Sequence, residues 1–564
     1  MLGDGPSPKY GAAPIKAKAA FAPAPGAGKL RFGPRDRVSP EQVIESVGWS
    51  GRRGHYQHFL LTVTCVTIAS EAAEVALLSL ILPHIRVEFG LTSWETDKVA
   101  MSIFAGQMLG CFVMGSLADA IGRKPCSIIA NVMVAVGGYA SALAPGAGVL
   151  MACRFAVGLG VGAAFVPVDM LAEACPERVR DTRTQLANLS FSVGVVLVTI
   201  VGAAMLEPGG WRLLAFVTAL PPTLALAMTC WLDESPTWLA ERGRSAEAKR
   251  ALDRICAECT GHALPRGVEI VSERELKKND GVMRAHSPAG ESGSGANGSG
   301  SAMGAGDGLL SLGGAAESLL LSSAEDGAAD AADAKRAASA AHNLAGTPLN
   351  FFRTVCLWTL AFVQTFNFYG LMLNAPVVFR RRQFLEDGVT EDVNRIVFDY
   401  AAILIVNSGD VVGNFAALAA LRSKVNPRWV AGVCAAVSIP LLFVPLSRTL
   451  SSRRWGLVLM MLVGRIPAAP IGAMSWILNA VAYPTLFRAT GHGWANAVAR
   501  FGAVAASSMY SASAAVSIPV HAVALAAAVP AAIFMPAGSL ETTVGAPGRI
   551  LKPSSKQPRR AEIG

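Results

Sequence analysis

The chain has 564 residues, of which 52% are hydrophobic and only 16% are charged, and its formal net charge is +9 at pH 7. Soluble globular domains carry roughly 25% charged residues, so this composition indicates a membrane protein. The basic residues lie in short clusters between apolar segments, without the aromatic interleaving of an RNA-binding surface, which argues against a nucleic-acid partner.

Twelve apolar segments are long enough to cross a lipid bilayer as helices, which takes roughly 20 residues each. The first six lie near residues 58–82, 99–118, 126–144, 149–171, 186–206 and 213–232. The second six lie near 354–378, 399–420, 428–446, 456–479, 495–514 and 517–537, with the last boundary drawn at Ile518 and Pro519. We therefore predict an all-α membrane protein with twelve transmembrane helices in two six-helix bundles.

The remaining segments are predicted to form two tails and one long loop. Residues 1–54 are rich in Pro, Gly and Ala, lack the apolar region of a signal peptide, and are expected to be a disordered cytoplasmic N-terminal tail. Residues 55–232 and 354–538 are the two bundles. Residues 233–353 are a cytoplasmic loop with short amphipathic helices and a Gly/Ser/Ala-rich tether at 287–345, and residues 539–564 are a cytoplasmic C-terminal tail.

The distribution of Lys and Arg orients these helices, because cytoplasmic loops are enriched in both. Arg52 and Arg53 precede the first span, Arg178 follows the fourth, and Lys552 lies in the C-terminal tail, whereas residues 141–148 contain no cation. Both termini are therefore expected to be cytoplasmic.

The sequence offers no candidate site for a metal or a cofactor. Its 10 cysteines are scattered, and the closest pair, Cys256 and Cys259, lacks a second pair or histidines at zinc-ligand spacing. A nucleotide-binding loop and the sequence context of a catalytic triad are also missing, so an enzyme is not expected.

The two bundles share a short motif. EACPERVR after the fourth span and VAYPTLFR after the tenth place a proline four residues before an arginine, Arg180 and Arg488 respectively. Each motif follows, by roughly 20 residues, an arginine next to a glycine, Arg154 and Arg465. This spacing predicts a duplicated six-helix unit.

The segment GSLADAIGRKP, which begins at Gly115, carries the most specific motif of the chain. Gly115 is expected to let neighbouring helices approach each other, and Gly122 to permit a tight turn. Asp119 can pair with Arg123 or face a helix N-terminus. Together with Lys124, these residues are predicted to bias a cytoplasmic gate; the alternative is an ordinary basic loop.

Further residues are assigned to the same gate. Glu173 lies near the cytoplasmic end of the fourth span, where it is expected to pair with Arg180 or Arg123. Arg154 and Arg488, which belong to the repeated motif, complete the predicted gate.

These motifs resemble those of the major facilitator superfamily. GSLADAIGRKP looks like its signature loop, and RFAVGLGVG and DESPTWLAERGR resemble its sugar and organic-ion transporter branches. SEAAEVALLSLILP and FYGLMLNAP are similar to the branch of synaptic-vesicle-type transporter-like proteins. The resemblance implies pseudo-symmetric bundles that alternate access to a central site. In the second half, the equivalent segment LRSKVNPR lacks the acid and the Gly-Arg-Lys of the signature loop.

Two glutamates, Glu71 and Glu74, lie within the first apolar span and share one helix face. An ionised side chain at mid-membrane costs roughly 3 kcal/mol or more unless it faces a partner or a wet cavity. We therefore expect one of these glutamates, together with Asp410 of the eighth span, to bind a coupling proton. The alternative is a fixed ion pair with Arg154 or Arg500.

Arg500 lies in the eleventh span, where the resemblance implies an arginine in organic-anion transporters. It is expected either to bind a carboxylate substrate or to neutralise Glu71, Glu74 or Asp410. The pocket is expected to be lined by polar and aromatic side chains of the seventh and tenth spans: Phe366, Asn367, Phe368, Tyr369, Trp476 and Asn479. The aromatic residues among them could equally face lipid or the core.

Together these features predict a secondary transporter of a small organic ion or polar metabolite, coupled to protons, with anionic substrates slightly favoured over cationic ones. A non-transporting sensor or binding scaffold is the alternative, since the second half lacks the signature loop. The protein is expected to work as a monomer in the lipid bilayer of a plasma or vesicular membrane.

Overall fold

The computed structural model describes residues 32, 36–49, 55–272, 276, 348–381, 397–423, 425–443, 454–482, 488–509 and 514–534. In the first half of the chain the elements are β1 (Arg37–Val38), α1 (Pro40–Val47), α2 (His55–Glu88), α3 (Ser93–Ile121), α4 (Arg123–Ala142), α5 (Ala147–Val161), α6 (Val166–Glu173), α7 (Glu177–Thr218), α8 (Leu220–Cys230), α9 (Pro236–Glu241), α10 (Ser245–Thr260) and β2 (Glu269–Ile270). The second half contains α11 (Pro348–Val378), β3 (Arg380–Arg381), β4 (Val397–Phe398), α12 (Tyr400–Arg422), α13 (Pro427–Phe443), α14 (Arg454–Ala482), α15 (Arg488–Ser507) and α16 (Ala514–Ile533).

The helices begin and end where local chemistry requires it. At the start of α3, the hydroxyl of Thr92 accepts a hydrogen bond from the backbone N–H of Glu95, whose carboxylate accepts one from the backbone of Thr92 in return. Such a reciprocal cap satisfies two of the four free N–H groups at a helix start. Gly122 ends α3 with φ of 113°, a conformation that favours glycine, so that α4 can begin directly after it.

All twelve predicted spans coincide with helices. In the described part of the chain, nine helices are both long and apolar enough to cross a membrane. The fourth span comprises α5 and α6 together, and the fifth and sixth are separated by Gly210, with φ of 73°, inside α7. The other three spans are the shorter apolar helices Pro427–Ile439 and Val520–Ile533 and the more polar α15. The protein therefore has the all-α, twelve-helix membrane architecture that its sequence predicts.

The predicted boundary between the last two spans is wrong. Ile518 and Pro519 lie inside α16, which begins at Ala514, whereas α15 ends at Ser507. Membrane helices tolerate an internal proline, because neighbouring groups satisfy the freed backbone, so proline is a weak boundary signal in such a sequence.

Part of the predicted disordered N-terminal tail is folded. Over residues 36–49, β1 pairs in parallel with β2, and α1 buries Val43 and Ile44 in one cluster with Leu252 and Ile255 of α10. Ser39 and Gln42 form a reciprocal cap that starts α1. The prediction failed because the apolar face of α1 finds its partner in α10, about two hundred residues away in the sequence.

The two six-helix halves, α2–α8 and α11–α16, pack side by side, with α2 against α11, α3 against α15 and α7 against α12. We call the end of the bundles beside α1, α9 and α10 the α10 face. The opposite end, where α2 finishes at Glu88 and α3 begins, is the far face. The tether at 287–345 lies outside the described residues.

Glycines bring α3 and α5 into direct backbone contact. Gly106 and Gly110 on α3 and Gly158 on α5 each lie so close to a backbone carbonyl of the other helix that a β-carbon would collide with it. Gly162, just after α5, packs against Gly110 in the same way. Small residues four apart are a common means of close helix packing in lipid, where no hydrophobic effect drives association.

Gly158→Ala should therefore destabilise the protein by about 1–3 kcal/mol, because the added methyl group must push α5 away from the carbonyl oxygen of Ile103. Thermal unfolding of the purified protein measures the loss. Gly148→Ala is the matched control, since it adds the same methyl group to the same helix with no other atom within 4 Å. Equal unfolding temperatures for the two variants would contradict this account of the interface.

Candidate functional site

A central cavity lies between the two halves. It has a volume of about 120 Å³ and is lined from both sides, by α2, α7 and Phe165 at the end of the α5–α6 connection on one side and by α11, α12, α14 and α15 on the other. Its lining is dominated by amide and aromatic side chains, which we list together: Phe165, Gln185, Asn188, Phe191, Gln364, Phe368, Tyr369, Asn414, Trp476 and Asn496. A cavity between helix bundles that combines apolar walls with a few convergent polar groups is the usual form of a small-molecule site.

The far-face side of the central cavity is closed by contacts between the halves. The rings of Phe104 and Tyr369 lie 4.8 Å apart, and those of His84 and Phe398 lie 5.7 Å apart. The amide of Asn407 donates a hydrogen bond of 3.0 Å to the hydroxyl of Thr199 across the same interface. One continuous cluster of buried apolar residues joins both halves here. Among the residues that the structure describes, these contacts separate the central cavity from the far face.

One buried ion pair connects the two halves beside the central cavity. Arg500 of α15 donates to Glu71 of α2 at 3.2 Å, and to Gln107 of α3 and the hydroxyl of Tyr369 at 3.0 Å each. The side chains of Arg500 and Glu71 are only 5% and 4% exposed, yet both line the cavity. Four helices from both halves thus meet at a single guanidinium group.

A second ion pair lies wholly within the first half. Arg154 of α5 donates to Glu74 of α2 at 2.8 Å and to the hydroxyl of Ser141 at 2.9 Å, and neither charged side chain has any exposed surface. Arg154, which the sequence assigned to the gate, therefore lies in the bundle interior. The alternative of a fixed ion pair for Glu74 is the arrangement found here.

A third ion pair lies wholly within the second half. Arg465 of α14 binds both carboxylate oxygens of Asp410 on α12, at 3.0 and 2.5 Å. Gly409 and Gly413 let α12 approach α14 closely enough for this geometry. Asp410 was predicted to be a proton site in the cavity; instead, Arg465 occupies both of its oxygens. The sequence indicated Arg465 only as a marker of the repeat.

The predicted lining residues divide into three groups. Phe368, Tyr369 and Trp476 line the central cavity, as predicted. Asn367 does not, because its side chain is 3% exposed and its amide donates to the carbonyl of Val363 in its own helix at 2.9 Å. Phe366 packs against His521, with ring centroids 4.6 Å apart. The side chain of Asn479 lies outside the described residues.

None of the five amides in this lining was predicted from the sequence: Gln185, Asn188, Gln364, Asn414 and Asn496. Gln185 donates to Asn414 at 3.0 Å, and Asn414 donates to Ser192 at 3.0 Å, so these amides also join the halves. A search for every amide within or beside a predicted span would have found them, since polar side chains in membrane helices usually face the bundle interior. Gln185 lies one residue before the fifth predicted span.

The predicted gate forms a charged network at the α10 face. Arg123 donates to Asp119 at 2.7 Å and lies 3.6 Å from Glu173. Of the two partners expected for Glu173, the structure has Arg123, because Arg180 donates to the backbone carbonyls of Ala172 and Cys175 instead. Arg488 contributes a backbone position at the start of α15, and its side chain lies outside the described residues.

The loop after the sixth span completes this network. Glu234 accepts hydrogen bonds from the backbone N–H groups of Arg123 at 3.0 Å and Lys124 at 3.2 Å, and therefore caps the start of α4. Trp238 donates to the backbone carbonyl of Asp119 at 3.0 Å.

Gly115 was expected to allow close helix contact, but no atom lies within 4 Å of where its β-carbon would be. The four-residue spacing of glycines lies earlier in α3, at Gly106 and Gly110.

No group of three or more His, Cys, Asp and Glu side chains that could hold a metal ion occurs among the residues that the structure describes. The chemistry of the site therefore rests on amides, aromatic rings and the Glu71–Arg500 pair. Such a site can bind a polar solute, and it can change its charge when Glu71 gains a proton.

Comparisons with known proteins agree with this architecture. Residues 56–281 match the family model described as "Sugar (and other) transporter". The chain is 25% identical over 476 residues to Organic cation/carnitine transporter 7 of Arabidopsis thaliana, an alignment that covers 83% of this chain and 87% of that protein. It is 28% identical over 240 residues to Synaptic vesicle 2-related protein of Bos taurus, where the alignment spans only 43% of each chain.

The solved structures that resemble the chain share its fold. The proton:xylose symporter XylE of the major facilitator superfamily, bound to 6-bromo-6-deoxy-D-glucose, superimposes with a TM-score of 0.58 at 17% identity. The superposition covers 86% of this chain and 96% of that protein. The relatives and the fold are those of transporters and not of enzymes.

Proposed function

We propose that the chain is a multi-pass membrane transporter of the major facilitator superfamily that carries a small organic ion or polar metabolite by alternating access, coupled to protons. The observation on which this proposal depends is the Glu71–Arg500 pair, which joins the two halves beside the central cavity. Any motion that opens the far face must separate these halves, so the pair has to break or move in each transport cycle.

The lining of the central cavity supports a polar solute. Its amides offer both hydrogen-bond donors and acceptors, and the rings of Phe165 and Trp476, 4.8 Å apart, offer flat apolar surfaces. The one arginine in this lining is already neutralised by a glutamate. This balance favours solutes with many hydroxyl groups or with compensated charges over strongly charged ones. Sugars and carnitine, which appear in the names of the similar proteins, belong to these two classes.

Proton coupling follows from the position of Glu71. The pairs Glu74–Arg154 and Asp410–Arg465 each lie inside one half, so rocking one half against the other does not disturb them. Glu71, in contrast, is held by a residue of the other half and borders the cavity. A proton on Glu71 removes the charge that attracts Arg500 and so weakens the contact between the halves. We therefore assign the coupling proton to Glu71.

The proposal includes the orientation of the protein. The basic residues at the α10 face, Arg123, Lys124 and Arg178, favour that face as the cytoplasmic side, and with it both chain termini. The protein is expected to act as a monomer in a plasma or vesicular membrane; the similarity to Synaptic vesicle 2-related protein supports the second location.

Reconstitution in liposomes tests the proposed function. A library of sugars, carnitine and small organic ions is first screened for thermal stabilisation of the purified protein, and the binders are then offered to proteoliposomes under an imposed pH gradient. We expect at least one binder to accumulate, and a protonophore to abolish the accumulation. Binding without accumulation would overturn transport and support a sensor or scaffold. Accumulation that ignores the protonophore would overturn proton coupling.

A further inference from the structure

A second, smaller cavity lies inside the first half, on another side of Glu71. This side cavity has a volume of about 20 Å³ and is bounded by α2, α4, α8 and the connection between α5 and α6. Its polar lining consists of Thr67, Ser70, Glu71, Ser127 and Asn131. The volume suffices for one particle of the size of a water molecule, which needs about 10–15 Å³ by this measure. Glu71 therefore borders both cavities.

The backbone beside the side cavity departs from α-helical hydrogen bonding, although it lies in the middle of a membrane span. Between α5 and α6 the N–H groups of Ala163, Ala164 and Val166 bond to carbonyls three residues earlier, at 2.9–3.0 Å, instead of four. Pro167, which also lines the cavity, has no N–H to donate. Backbone breaks at this depth occur where they border a cavity, and their carbonyl oxygens commonly bind ions.

The hydroxyl groups of the side cavity are available as acceptors only. Thr67 donates to the carbonyl of Val63 at 2.9 Å, and Ser70 donates to that of Val66 at 2.7 Å. Ser127 donates to the carbonyl of Arg123 at 2.9 Å. Since each hydrogen is used within its own helix, the three oxygens present lone pairs to whatever fills the cavity. The amide nitrogen of Asn131 likewise donates away, to Thr229 at 3.3 Å, and leaves its carbonyl oxygen.

We propose that the side cavity binds one dehydrated monovalent cation of the size of Na⁺, with Glu71 as its charged ligand. Hydroxyl, amide, carbonyl and carboxylate oxygens are the donors that hard cations prefer. Glu71 is the one carboxylate in this lining, and it already shares its charge with Arg500, which suits a single positive charge better than two. The inference rests on the proposed function only in using the same carboxylate.

The arrangement separates the ion from the solute. The solute lies in the central cavity, between the halves, whereas the cation lies inside the first half, and the two meet at Glu71. A bound cation attracts the carboxylate and weakens its hold on Arg500, as a proton does. Na⁺ and the proton are therefore competitors for one group, and either can weaken the contact between the halves.

Thermal unfolding of the purified full-length protein in NaCl, KCl and choline chloride, at fixed ionic strength and pH, tests the proposal without any solute or gradient. We expect a saturable stabilisation by Na⁺ that choline does not produce and K⁺ produces weakly. The half-saturating Na⁺ concentration should rise as the pH falls, because protons compete for Glu71. Stabilisation by Na⁺ no greater than that by choline would overturn the proposal and leave water as the occupant.

Removing two ligand oxygens tests the location. The double variant Thr67→Val, Ser127→Ala should raise the half-saturating Na⁺ concentration about tenfold or more, the scale of effects seen for groups that support metal ligands. The control is Ser79→Ala, Thr218→Val, which deletes two buried hydroxyls that also donate to their own helices, away from both cavities. Equal Na⁺ responses in the two double variants would place the ion elsewhere.

Two further sets of variants are measured in the same Na⁺ titration. If the double variant does not fold, the single variant Ser127→Ala is compared with Ser79→Ala in the same titration. Glu71→Gln should abolish the Na⁺ response, and a full response in that variant would overturn the role of Glu71. A protein that responds to Na⁺ but accumulates no solute would keep this inference and lose the proposed function, so the two fail separately.

Discussion

Glu71→Gln should yield a folded protein that still binds its solute but no longer accumulates it under a pH gradient. Glutamine keeps an oxygen that can accept a hydrogen bond from Arg500, but it cannot gain or lose a proton. A gradient of one pH unit is worth about 1.4 kcal/mol per proton, so the unaltered protein should concentrate an uncharged solute up to about tenfold. The variant should only equilibrate the solute, as measured by uptake into proteoliposomes.

Two further variants of α2, Glu88→Gln and Glu74→Gln, are compared with Glu71→Gln. Glu88→Gln on the same helix is the control, because Glu88 pairs with Arg212 at the far face, where both side chains are about 40% exposed, and should keep its accumulation. Glu74→Gln should lower the stability of the protein, since Arg154 would remain charged without its buried partner. The protein that does fold should still accumulate the solute under a pH gradient. If Glu74→Gln loses the gradient dependence and Glu71→Gln keeps it, the coupling proton belongs to Glu74.

Arg465→Met should destabilise the protein by about 3–5 kcal/mol. The substitution leaves the carboxylate of Asp410, which has no exposed surface, without the two hydrogen bonds that now compensate its burial. Thermal or denaturant unfolding of the purified protein measures the change.

The double variant Asp410→Leu, Arg465→Met should recover most of this loss, because a buried ion pair can often be replaced by apolar side chains at little net cost. Arg244→Met on α10 is the control: Arg244 and Glu247 are 49% and 42% exposed, and such pairs contribute about 0–1 kcal/mol. A double variant as unstable as Arg465→Met alone would show that the packing of the arginine stem matters more than the charge.

The three buried ion pairs fall into two kinds: two lie within one half of the protein, and one connects the two halves. Glu74–Arg154 and Asp410–Arg465 each join two helices inside one half. Both arginines lie on the fourth span of their half, but Glu74 lies on the first span and Asp410 on the second span of its half. In the proposed transport cycle these pairs stay intact while the halves move against each other. Glu71–Arg500 is the pair that crosses between halves in the described part of the chain, and it borders the central cavity. Ligands and ions that act on Glu71 therefore act where the halves must part.

Particular residues show which parts of the site could be predicted from the sequence. The motif around Asp119 and Arg123 allowed a contact between residues four apart in the sequence, and the structure contains it at 2.7 Å, between the end of α3 and the start of α4. Tyr369 and Trp476 were predicted as candidate lining residues, with lipid or the core as the alternative for aromatic side chains, and both line the cavity. Asn367 was predicted with them, yet its side chain turns away from the cavity, since consecutive residues of a helix point about 100° apart.

The amino-acid sequence by itself determined the membrane class, the twelve spans and their order, because helix length and apolar composition are local properties that the bilayer enforces. It also determined that charges in the spans would need partners. Which partner each charge has was decided only by the tertiary structure: Glu71, Asp410 and Arg500 could each have paired in several ways, and the choice depends on helix rotation and on glycines such as Gly409 and Gly413 that set the distance between helices. The same packing folded α1 onto α10 and left two cavities on either side of one carboxylate, because contacts between distant segments are properties of the assembled bundle and not of any stretch of chain.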